Sequence, residues 1–152
     1  MKKNIKFLSL LVAIVVLMSG VFVVPVSAES NVRYSVSSAI GATDMFAFST
    51  ITRIPYLDFS NVTSLGYAFD SATSLEIIDG IKITEKCTAF GNAFRAVKNL
   101  RRMIVSGTIG ASGLDLHWSV LLDKESITSI INALSTTTSG LTVTLSKTAV
   151  NN

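Results

Sequence analysis

The 152-residue sequence predicts an α/β fold: a short solenoid of right-handed, stacked strand–turn/helix units after an N-terminal leader. Two observations lead there. A phrase that reads Leu65-Gly66-Tyr67-Ala68-Phe69, then Ala72, Leu75 and Ile78, returns as Phe90-Gly91-Asn92-Ala93-Phe94, then Val97, Leu100 and Met103. The shift of about 25 residues falls within the periods of stacked-repeat proteins. A fainter copy precedes them, with Met45, Ile51 and Ile54 about 24 residues ahead of Phe69, Leu75 and Ile78. One such unit cannot bury its apolar face alone. Stacking offers a solution, with Phe69 over Phe94 and Leu75 over Leu100. The expected repeat core is therefore Leu65, Phe69, Leu75, Ile78, Phe90, Phe94, Leu100 and Met103.

Residues 1–28 read as a secretory signal peptide. Lys2, Lys3 and Lys6 make a basic start, an apolar stretch runs over 7–24, and Val26-Ser27-Ala28 is a small-residue cleavage site. The apolar stretch nears the ~18–20 residues that span a bilayer, so a retained anchor is the competing reading. The cleavage site and the polar residues after it favour removal. Three of the thirteen basic residues lie in this leader and all ten acids lie after it, so the remainder is charge-neutral. The basic pI is thus no argument for nucleic acid, which needs a basic face on the folded domain. Contact with a membrane is expected only transiently, through the signal peptide.

Residues 29–44 form a lead-in segment, in which Val32, Tyr34 and Val36 alternate with polar residues like a short strand. The repeat domain is expected over 45–145. Pro55 interrupts its first unit, because proline lacks an N–H and fixes φ. Leu57-Asp58-Phe59 follows as a short strand. Asn61-Val62-Thr63 matches a glycosylation sequon but reads as an ordinary turn. In the clearest unit, Leu65, Ala68, Phe69 and Ala72 are spaced for one face of a helical or 3₁₀ turn. Strand character begins at Leu75, Asp79-Gly80 signals a turn, and Ile81-Lys82-Ile83 alternates again.

The next unit repeats this plan, and the Gly/Ser-containing tract 106–113 breaks it. Leu114-Asp115-Leu116 is a short strand. Asp123 is the best helix N-cap in the chain, with Glu125 in the first turn and Leu122 and Ile127 able to staple across it. Ile127, Ile130, Ile131 and Leu134 form the apolar stripe of that helix. Leu141, Val143 and Leu145 alternate with threonines in a last strand, and residues 146–152 are a tail that reads as the stump of a truncated array or as leaving the last strand's neighbour exposed.

These residues resemble a known group. Val62-Thr63-Ser64-Leu65-Gly66-Tyr67-Ala68-Phe69, with Thr73-Ser74-Leu75-Glu76-Ile77-Ile78, is similar to bacterial leucine-rich repeats of the BspA type, which repeat V-T-x-I-G-x-x-A-F-x-x-C-x-x-L-x-x-I. Ile54-Pro55-Tyr56-Leu57-Asp58-Phe59-Ser60-Asn61-Val62-Thr63 resembles a connection found in such proteins. Ala72 and Val97 stand where that motif has cysteine. The segment 112–134 resembles the terminal unit of repeat proteins on bacterial surfaces and in phage tails. The resemblance implies a leucine-rich-repeat-like solenoid that is secreted or surface-associated and binds proteins or glycans. It implies no shared catalytic residues.

The residues themselves offer little chemistry. Cys87 is the lone cysteine, which leaves no internal disulfide; it reads as a small buried residue, an intermolecular disulfide being the alternative. His117 is the lone histidine, and Asp115 and serines lie near it in sequence, but no G-x-S-x-G elbow accompanies them. No ligand spacing suggests a metal, and no cofactor is expected. Arg95, Lys98, Arg101 and Arg102 form the densest basic patch, read either as a solvated face or as a dock for an acidic surface or anionic glycan. Tyr56, Tyr67 and Trp118 are aromatics of the kind enriched at interfaces, though packing is their commoner use. The expectation is a non-catalytic adhesion or interaction protein. The alternatives are a structural fragment of a longer adhesin or phage-tail-like protein, and a small hydrolase using His117.

Overall fold

The computed structural model describes residues 24–25, 34–35 and 39–151, so most of residues 1–28, where a signal peptide is expected, and most of the lead-in lie outside the described residues. The strands are β1 (Val24–Pro25), β2 (Tyr34–Ser35), β3 (Arg53–Ile54), β4 (Leu57–Asp58), β5 (Ile77–Ile83), β6 (Arg102–Gly107), β7 (Leu114–Leu116) and β8 (Val143–Leu145); the helices are α1 (Lys124–Asn132) and α2 (Lys147–Val150). These elements mix open sheets with two short helices, within the α/β class.

The larger sheet is parallel except where β1 meets β2. Its register follows the sequence repeat: Arg53 pairs with Ile77 and Ile77 with Arg102, while Leu57 pairs with Ile81 and Ile81 with Val105. Pro55 and Tyr56 separate β3 from β4, as the missing N–H demands. Against these two short strands runs one continuous β5. The turn expected at Asp79-Gly80 is instead a bulge inside that strand, where the register against β6 shifts between Ile78 and Ile81. The ring of Tyr56 lies over this bulge, so close that a Cβ on Gly80 would meet its Cδ2 at 2.7 Å. β6 ends at Gly107, whose φ is +85° and whose missing Cβ would lie 2.0 Å from the Ile83 carbonyl oxygen.

The Gly-x-Ala-Phe phrases are not helical. Tyr67 and Ser71 have positive φ, and so do Asn92 and Ala96 at the same places in the next copy and Asp44 and Phe48 in the first. A left-handed non-glycine residue costs about 1–2 kcal/mol. The compensation is a full set of backbone partners. N–H groups of Leu65, Tyr67, Phe69 and Ser71 donate to the carbonyls of Ala89, Gly91, Ala93 and Arg95 in the following copy, at 2.8–2.9 Å. Between them Ala68, Asp70 and Ala72 donate to Leu65, Tyr67 and Phe69 within the turn. Ala42, Asp44, Phe46 and Phe48 donate to the Ser64–Asp70 turn in the same alternation. The turns are thus a second hydrogen-bonded column beside the strands. Gly66 and Gly91 do not have positive φ, and nothing in their surroundings requires a glycine.

The core fills the space between the two columns. Phe46 stacks on Phe69 at 5.4 Å and Phe69 on Phe94 at 4.8 Å, with planes within 15°. Phe46, and not Met45, is therefore the first-copy partner: that unit is shorter, and hydrogen bonding rather than hydrophobic spacing sets its register. Leu65, Phe69, Leu75, Ile78, Phe90, Phe94, Leu100 and Met103 are all buried.

Helix α1 closes the free edge of β6. Asp123 caps it, accepting the Ser126 N–H at 2.7 Å. The Ser126 hydroxyl accepts the Met103 N–H at 2.8 Å, and the Ser129 hydroxyl accepts the Val105 N–H at 3.0 Å. Two edge donors that another strand would satisfy are met by helix side chains. Ile130 is buried, but Ile131, expected on the apolar stripe, is 54% exposed. The stripe is narrower than its spacing suggests because serines occupy part of the packed face. β7 and β8 pair in parallel as a separate sheet. Within the expected tail lies α2, which buries Ala149.

Candidate binding surface

The basic patch is not a field of free cations. The turn that carries Arg95 sits one copy beyond Asp70, and the guanidinium reaches back to grip that carboxylate with two hydrogen bonds, Nε at 2.8 Å and Nη2 at 2.6 Å. Asp70 is only 3% exposed. The Arg95 hydrogen bonds hold its carboxyl below the usual range, against the opposing push of burial. Arg95 also lies 5.6 Å from the ring centroid of Tyr67, which is exposed. Arg101 lies 3.3 Å from Glu76, again one copy back. Arg102, on β6, reaches forward to Glu125 at 2.7 Å and to Asp123 at 3.4 Å, so Glu125 is held below its ordinary pKa by that hydrogen bond.

Arg53 and Asp79 make a further two-pronged pair across β3 and β5, at 2.7 and 2.8 Å. Solvent screens the exposed arginines of these pairs, so they add little to stability. Their use is in register: each joins neighbouring copies, and a one-residue slip would part it. Tyr56 is committed to the β5 bulge.

Lys98 differs from its three neighbours in the patch. Among the described residues it makes no ion pair; its ammonium stands 5.4 Å from the centroid of Trp118. Trp118 follows β7, on a turn anchored by Ser119, whose buried hydroxyl donates to the Val97 carbonyl at 3.0 Å. His117 lies against the same indole, with ring centroids 4.8 Å apart. Its Nδ1 is 2.7 Å from Asp115 Oδ1, which also accepts the His117 backbone N–H. Both side chains are about half exposed. The serine nearest to this Asp–His pair in sequence, Ser119, is buried and spends its proton on the Val97 carbonyl.

Burial pushes the Cys87 thiol up to about 11, so it stays protonated and poorly nucleophilic at neutral pH. Among the described residues no group of three or more His, Cys, Asp or Glu could hold a metal ion. No described helix is long and apolar enough to cross a membrane. Comparison with protein-family models, curated proteins and solved structures found no match. Asp70 and the two helix serines escape sequence reading, since their partners lie one copy away. Only the constant repeat offset hints at them.

Proposed function

We propose that this protein is an exported, non-catalytic binding module, built as a short leucine-rich-repeat-like solenoid, that recognises a protein or glycan at a surface. The constant 24–25 residue register of the strand column carries this reading, with β3 and β4 against β5 and β5 against β6. A stack of this kind has a rigid outer face whose side chains are set by register. On it Arg53 and Asp79 stand beside Asp58, Lys82 and Ser106, which are paired positions of three successive strands. Such a mosaic of charge and hydroxyl over fixed backbone suits recognition more than turnover.

The protein lacking residues 1–28 should capture a ligand from a glycan array or a cell-surface protein extract, and should hydrolyse no ester or peptide substrate in the same preparation. Absence of capture on both would overturn the reading. Export is tested separately by N-terminal sequencing of the protein recovered outside the producing cell. Glu29 as first residue is expected, and a retained Met1 would refute cleavage of the signal peptide.

A further inference from the structure

We infer that the ligand contact is centred on Lys98, Trp118 and His117, and that it takes a saccharide carrying an anionic group. This rests on the binding reading above and narrows it to one place and one ligand class. Three observations converge. Arg95, Arg101 and Arg102 already have carboxylate partners, so the patch's capacity for an external anion falls to Lys98. The Lys98 ammonium sits over the ring of an indole that keeps 38% exposure, which joins a positive charge to an aromatic surface still partly open to solvent. A sugar ring presents C–H groups to such a surface while its carboxylate or sulfate meets the ammonium.

The third observation is the histidine. An ionised Asp115 carboxylate needs a donor, and His117 Nδ1 is 2.7 Å away. The ring is thereby held, and in its neutral form Nε2 keeps a lone pair that accepts from a sugar hydroxyl. Asp115 also repels anions, so the ligand's charge belongs on the Lys98 side of the indole. The site is rigid beneath: the Ser119–Val97 hydrogen bond fixes the turn, and Asp115 accepts both the ring and the backbone of His117. A pre-set aromatic and its flanking polar groups reduce the ordering cost of binding.

Trp118 is the only tryptophan, so its fluorescence reports on this site alone. The purified protein is titrated with a hyaluronan hexasaccharide (carboxylate), a heparin-derived hexasaccharide (sulfate), maltohexaose (neutral) and a poly-glutamate peptide. Saturable emission changes are expected with one or both acidic sugars, with maltohexaose and the peptide at least about ten-fold weaker. Binding should weaken with added salt. Lys98→Ala should lose about ten-fold or more, Lys98→Arg should retain most affinity, and Arg101→Ala should change it little. Calorimetry on Trp118→Ala should show no binding, with a thermal melt confirming that the variant is folded. Equal binding of maltohexaose or of the peptide, or full affinity in folded Lys98→Ala, would overturn the inference. Capture on a glycan array that survives in Trp118→Ala would overturn this site while leaving the binding reading intact.

Discussion

Replacing Phe69 tests the packing most directly. Its ring is fully buried between Phe46 and Phe94, with centroids 5.4 and 4.8 Å away. Truncating a buried phenylalanine to alanine costs about 3–5 kcal/mol. Each aromatic pair adds about 0.5–1.5 kcal/mol beyond its area, and Phe69 makes two, so Phe69→Ala belongs near 5 kcal/mol. Small domains have only about 5–15 kcal/mol in all, so this variant is expected at the margin of folding. Phe69→Leu is the informative companion: it keeps most of the apolar volume, loses both ring contacts, and should cost about 1–3 kcal/mol. Urea unfolding followed by circular dichroism measures both, with an unchanged slope showing that the difference lies in stability. Phe48→Ala is the control, because that ring is 73% exposed and its loss should stay within about 0.5 kcal/mol. A leucine variant as stable as the parent, or a Phe48 variant as costly as Phe69→Ala, would refute the three-ring stack.

Three other outcomes follow from the same geometry. Ser126→Ala should destabilise by about 1–3 kcal/mol, because it leaves the buried Met103 N–H without an acceptor; hydrogen exchange at that amide should accelerate. Asp70 and Asp123 both have pKa values lowered below 3.8, so the unfolded chain binds more protons between the two values. Their stabilisation is complete above that value and is lost as pH falls through the lower folded ones. Melting temperature should therefore drop on acidification below about pH 4, and more shallowly in Asp70→Asn. Gly107→Ala should destabilise by more than about 1 kcal/mol in thermal melts, since the new methyl collides with the Ile83 carbonyl and φ is +85°.

Much of the local plan is written in the sequence. The repeated phrase gives the period because burial demands that equivalent apolar residues meet. Asp123 announces α1 because an N-cap is a matter of a few neighbouring residues. Pro55 divides β3 from β4 because its own covalent ring forbids the hydrogen bond. What the sequence misjudges depends on partners about 25 residues away. Asp79-Gly80 looks like a turn and becomes a bulge, since β5 pairs with interrupted strands on one side and a continuous strand on the other. Met45 fits the spacing, yet Phe46 enters the stack, because the turn's hydrogen bonds to the Ser64–Asp70 segment fix the ring positions.

The basic patch shows the same division. Its residue types and spacing are plain in the chain, but their charges are settled in space: Asp70, Glu76 and Glu125 neutralise three of the four, and Lys98 alone is left beside Trp118. The sequence by itself determined the repeat, the helix start and the residues that must be buried, all consequences of local geometry and apolar periodicity. The tertiary structure decided which hydroxyls close the β6 edge, which rings stack and which charge stays open. Those depend on stacking register, where a shift of one residue would exchange every partner.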